Sequence, residues 1–187
     1  LFDWSRYPHI AAPYRQGDAR GWGLQQVRKK GLRDMGGTLS SDHAHRLAVG
    51  AETLGLRTRA TSATALALAH MLEGHAAVDR VYYPGLPSHE QHARAQRLFK
   101  GASWMLAFEL RDANRLVPVL NALQLAVKAT GLADTRTLVI PVAPTIFWEM
   151  GAAARAEMGI AEGLVRVSVG LEDEADLLAD FAQALAA

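Results

Sequence analysis

Gly163-Leu164-Val165-Arg166-Val167-Ser168-Val169-Gly170 is the stretch from which the fold can be read. Val165, Val167 and Val169 alternate with Arg166 and Ser168, the two-residue period of a strand with one apolar and one polar face. Gly170 ends it. β-Branched valines suit a pleated, half-buried surface, so the segment predicts a strand that turns one face to a core. Arg166 then sits near the centre of a short apolar strand, on the face opposite the valines. A guanidinium there is costly to bury unless an anion meets it. Its planar fork matches a carboxylate through two parallel hydrogen bonds. Two readings stay open: a place for an anionic ligand, or an ion pair with Glu172, Asp173 or another local acid. Pairs of the second kind are common in protein structures.

Outward from this strand the pattern gives further elements. Residues 172–185 read as an amphipathic helix with acids in its first turn, favourable for the helix dipole. Residues 80–83, 104–110 and 138–142 read as strands, and Pro141 argues for an edge or an early end to the last of these. Pro84-Gly85-Leu86-Pro87 is a turn. Helices are expected over 21–32, over two successive stretches between Ser41 and Glu73 that end at Gly74, over 88–99 with Ser88 as cap, over 113–125, and over 150–158. Pro118 is tolerated near the start of its helix. Gly31, Gly36 and Gly37 break the chain between the first two. Residues 1–23 read as an irregular arm and 24–187 as one domain. Helices first, then strands and helices mixed, predict an α/β (α+β) fold: a two-layer domain with a small, largely antiparallel sheet packed against helices.

Composition removes whole classes of function. The 187 residues contain no cysteine, which excludes disulfides, thiolate metal sites and cysteine nucleophiles, and fits a reducing compartment such as the cytoplasm. The formal charge of +1 leaves no electrostatic footprint for nucleic acid. No apolar run reaches the roughly 18 residues of a membrane helix. His43 and His45 point to different helix faces, and His89 with His92 lacks a third ligand nearby, so no metal is expected. Nucleotide-binding glycine loops and the nucleophile elbow are absent. Leu1 is not a natural start, so the chain is expected to be a fragment, a processed product or one with trimmed numbering.

Three stretches resemble the Cys/Met-metabolism (trans-sulfuration) family of pyridoxal-phosphate enzymes. They are Val81-Tyr82-Tyr83-Pro84-Gly85-Leu86-Pro87-Ser88-His89, the segment from Gly163 to Asp173 with Asp176-Leu177-Leu178-Ala179-Asp180-Phe181, and Glu52-Thr53-Leu54-Gly55-Leu56-Arg57 with Leu72-Glu73-Gly74-His75. They fall in the family's order and at about its spacing. Phe2-Asp3-Trp4, Pro13-Tyr14 and the segment from Ala133 to Val139 are most similar to its sulfhydrylase branch.

The resemblance implies the C-terminal domain of a fold-type I pyridoxal-phosphate enzyme. It implies γ- or β-replacement or elimination on an amino acid, a homo-oligomer, and an arginine at Arg166 that holds the substrate α-carboxylate. Thr137 and Gly131 are the other expected substrate-binding residues, Gly131 standing where the family has Ser or Asn. The family's cofactor lysine belongs to a Ser/Thr-rich segment that would precede Leu1, and Lys29, Lys30, Lys100 and Lys128 lack that setting. The pyridoxal phosphate is therefore expected to be held mainly by an N-terminal cofactor domain, and the chain to be inactive alone. The alternative is a degenerate, non-catalytic relative that acts as a stand-alone interaction module.

Overall fold

The computed structural model describes Arg6, Pro8, His9 and residues 18–187. The expected arm of residues 1–23 falls largely outside these, as do Phe2-Asp3-Trp4 and Pro13-Tyr14. Contacts divide the chain into two units, Leu1–Glu52 and Thr53–Ala187.

The described part of the first unit is helical: α1 (Trp22–Gln26), a π-helical turn (Val27–Leu32), α2 (Arg33–Met35) and α3 (Ser41–Glu52). Gly31 does not break the chain as expected, since it lies inside the π-helical turn. Gly36 does, with φ at 65°, the left-handed conformation that closes a helix. Ser40 caps α3, its Oγ accepting from His43 N at 3.3 Å, one residue earlier than the sequence suggests.

The second unit runs α4 (Leu54–Glu73), β1 (Val78–Tyr82), α5 (His92–Leu98), β2 (Met105–Leu110), α6 (Leu116–Ala122), β3 (Val127–Lys128), β4 (Leu138–Pro141), α7 (Gly151–Glu157), β5 (Leu164–Ser168) and α8 (Glu174–Ala186). The sheet order is β1-β2-β5-β4-β3, antiparallel throughout except for the β3–β4 pair. The expected fold class is the observed one. β2 alternates half-buried and buried residues, and β5 does so up to Ser168, which is buried like Val167 before it. Leu106, Phe108, Val165 and Val167 enter the core with Leu68 and Leu72 of α4 and Leu177 and Phe181 of α8. The rings of Phe108 and Phe181 meet edge to face, 6.4 Å between centroids at 73°.

Where the elements depart from the pattern, a named contact is responsible. β4 is not an edge strand, because it lies between β5 and β3. Yet β3 pairs only with Leu138 and Val139, so Pro141, which has no N–H, falls where no partner on that side needs a donor. The helix expected from Ser88 begins at His92, and Ser88 Oγ donates to Glu73 instead of capping. The helix expected over 113–125 opens as a 3-10 turn (Ala113–Arg115) capped by Asp112 and closes at Ala122.

Candidate functional site

Arg166 lies in β5 with Ala107 of β2 on one side and Ile140 of β4 on the other. Val165 and Val167 point to the core with no exposure, and Arg166 is half-buried on the opposite face. The guanidinium is held by backbone: Nη2 donates to Thr130 O at 2.8 Å and to Gly131 O at 3.3 Å. Its Nε is buried with no acceptor. A buried donor without a partner costs roughly 1–3 kcal/mol.

The local acids do not supply an acceptor. Glu172 accepts from Thr137 N at 2.6 Å and from Thr137 Oγ1 at 2.7 Å. Asp173 caps α8, accepting from Ala175 N at 2.9 Å and Asp176 N at 3.4 Å. Among the described residues Arg166 therefore has no carboxylate partner, and the ion-pair reading is set aside.

The two other expected site residues frame the same guanidinium from the segment 130–137. Gly131 contributes its carbonyl, and a Cβ built there would meet only Leu138 Cδ1, at 2.9 Å. Thr137 is fully buried, its hydroxyl donating to Glu172 and accepting from Gly170 N at 2.9 Å. The segment is fastened to the exit of β5 at further points: Ser168 Oγ accepts from Ala133 N at 2.9 Å, and Leu171 N donates to Thr135 O at 2.8 Å. Gly170 makes this approach possible, because a Cβ there would lie 2.4 Å from Arg136 C and 2.5 Å from Thr137 N.

Sequence reading placed Ser168 on the Arg166 face and weighed Glu172 only as an ion-pair partner, so their part in holding the segment went unseen. Asp180 was also missed. From α8 it accepts the N–H groups of Gln124, Leu125 and Ala126 at 2.7, 2.9 and 3.2 Å, fixing the chain that leads through β3 to Thr130.

A family model described as Cys/Met metabolism PLP-dependent enzyme matches residues 18–186. The chain belongs to this family. It is 43% identical over 164 residues to L-methionine gamma-lyase of Pseudomonas deceptionensis, covering 87% of this chain and 41% of that protein. It is 39% identical to O-succinylhomoserine sulfhydrylase of Pseudomonas aeruginosa, covering 96% of this chain and 47% of the relative. Among solved structures, a protein of Campylobacter jejuni assigned as an O-acetylhomoserine (thiol)-lyase, holding a pyridoxyl-lysine phosphate, matches with a TM-score of 0.82 at 31% identity, over 91% of this chain and 41% of that one. The chain thus spans less than half the length of these family members.

Pyridoxal phosphate needs a lysine for its Schiff base. In the unit that contains Arg166 the lysines are Lys100 and Lys128. Lys128 Nζ is bound to Leu120 O and Asn121 Oδ1, and Lys100 borders a groove with Leu66, Pro84 and Phe99. Neither stands at the segment 130–137. The donor set at Arg166, a guanidinium whose Nη2 is held by two carbonyls, has the charge to meet an anion and offers no lysine to the cofactor. Nor do the histidines gather: among the described residues no group of three or more His, Asp or Glu could hold a metal ion. No helix among them is long and apolar enough to cross a membrane.

Proposed function

We propose that this chain is the C-terminal, substrate-binding domain of a pyridoxal-phosphate-dependent enzyme of sulfur amino-acid metabolism, with residues 24–187 forming that domain. Arg166 grips the α-carboxylate of the amino-acid substrate. The observation that supports this is a half-buried guanidinium oriented by two carbonyls, with no carboxylate partner and no acceptor for its Nε among the described residues. Gly131 shares the site through its carbonyl, and Thr137 holds the segment that carries it. The reaction is a γ- or β-replacement or elimination, as in the sulfhydrylase and lyase relatives, and the cofactor with its lysine is held by an N-terminal cofactor domain. A cytoplasmic homo-oligomer is part of the same proposal.

The test uses the chain labelled with nitrogen-15 and followed at its arginine Nε–H signals. Titration with L-alanine should move the Arg166 signal along a saturating curve. L-Alaninamide, which lacks the carboxylate, should leave it in place. No movement with L-alanine, or equal movement with the amide, would overturn the proposal.

A further inference from the structure

The segment 130–137 is tied to the end of β5 and the start of the following loop by contacts that never reach Arg166. Ser168 Oγ takes Ala133 N, and Glu172 takes both the backbone and the hydroxyl donor of Thr137. A threonine hydroxyl has one proton to give. Here it goes to Glu172, while the oxygen accepts from Gly170 N, so no donor of Thr137 is left for a ligand. The short approach at Gly170 allows no slack between the two backbones.

What these ties fix is the position of Thr130 O and Gly131 O, and those carbonyls fix Nη2 of Arg166. An arginine side chain free to choose rotamers loses that freedom on binding. Holding it beforehand removes that cost from the ligand's account. Resting on the carboxylate-site reading, we infer that Glu172 and Ser168 are positioning residues for that site, acting through Thr137 and Ala133 without touching the ligand. Glu172 carries the larger share, since bonds to a charged acceptor are stronger than neutral ones.

The experiment measures the L-alanine dissociation constant from the Arg166 Nε–H signal in three variants of the chain. The Arg155 Nε–H signal serves as folding control, since Arg155 is paired with Glu162 at 3.0 Å by the same nitrogen. Thr137→Val removes the hydroxyl at constant shape and should weaken binding by about tenfold, the scale of a buried bond left unmade. Thr137→Ser keeps the hydroxyl and should restore affinity to within about threefold. Glu172→Gln removes the charge with little change of shape and should weaken binding several-fold while Arg155 stays put. A lower melting point with unchanged affinity in Thr137→Val and Glu172→Gln would mean a purely structural role and would overturn the inference. Should Thr137→Val lose the Arg155 signal through unfolding, Glu172→Gln decides alone. If wild type itself shows no L-alanine response, it is the carboxylate site that fails.

Discussion

Ala133 has φ of 57° and Ser103 has φ of 116°, the two non-glycine residues with positive φ among those described. Such backbone is costly for an L-residue with a Cβ. Each is held by a side chain from elsewhere. Ser168 Oγ accepts from Ala133 N, and the hydroxyl of fully buried Tyr83, pushed by burial to a pKa of about 12, donates to Ser103 O at 2.7 Å. Ala133→Gly keeps the bond to Ser168 and removes the steric cost, so it should stabilise by about 1 kcal/mol. In a chain of this size that raises the melting point by roughly 2–4 °C. A lower melting point would show that the left-handed turn at Ala133 carries no strain. At this scale Arg166 was legible because a two-residue alternation needs only neighbours. Glu172 was not, because its partner Thr137 lies 35 residues earlier and no local pattern joins them.

Between α6 and β3, one carboxylate decides where a helix stops. The sequence pattern carried the helix on to residue 125, but Asp180 draws the N–H groups of Gln124, Leu125 and Ala126 away from any helical ladder. The donors and acceptor are 54 to 56 residues apart, so the short α6 and the two-residue β3 could not be read locally. The long elements could: α4, α8 and the four longer strands lie where the apolar runs and turn residues put them, with shifts of a few residues at the ends. Burial by itself would raise the Asp180 carboxyl, yet the three backbone N–H groups and Gln183 hold it below the ordinary value of 3.8. A lowered folded pKa means stabilisation that is present above the ordinary value and lost as pH falls through the lowered one. Asp180→Asn should therefore cost about 2–3 kcal/mol near neutral pH. The gap between variant and wild type should narrow as pH falls below about 4. Denaturant midpoints of both proteins across that range check this. A gap independent of pH would remove the charge from the explanation.

Across the whole second unit, the sheet separates two tasks. One face is apolar, packs on α4 and α8, and makes the core. The other presents Arg166 to a segment fastened by Ser168 and Glu172. Membership of the family and the fold class were visible in the sequence, because they rest on motifs and periods within short stretches. The way the loop seats Arg166 was not, since it depends on the β5 exit meeting a segment from the far side of β4. A residue kept for a ligand contributes little to the fold while the ligand is absent, whereas a structural ion pair would do the reverse. Arg166→Lys keeps the charge and loses the planar fork. Measured on one variant, melting and L-alanine affinity together test the account most directly. The account predicts a loss of binding of about 1.5–3 kcal/mol with a smaller loss of stability. A variant that melts several degrees lower yet binds L-alanine as well as wild type would contradict it.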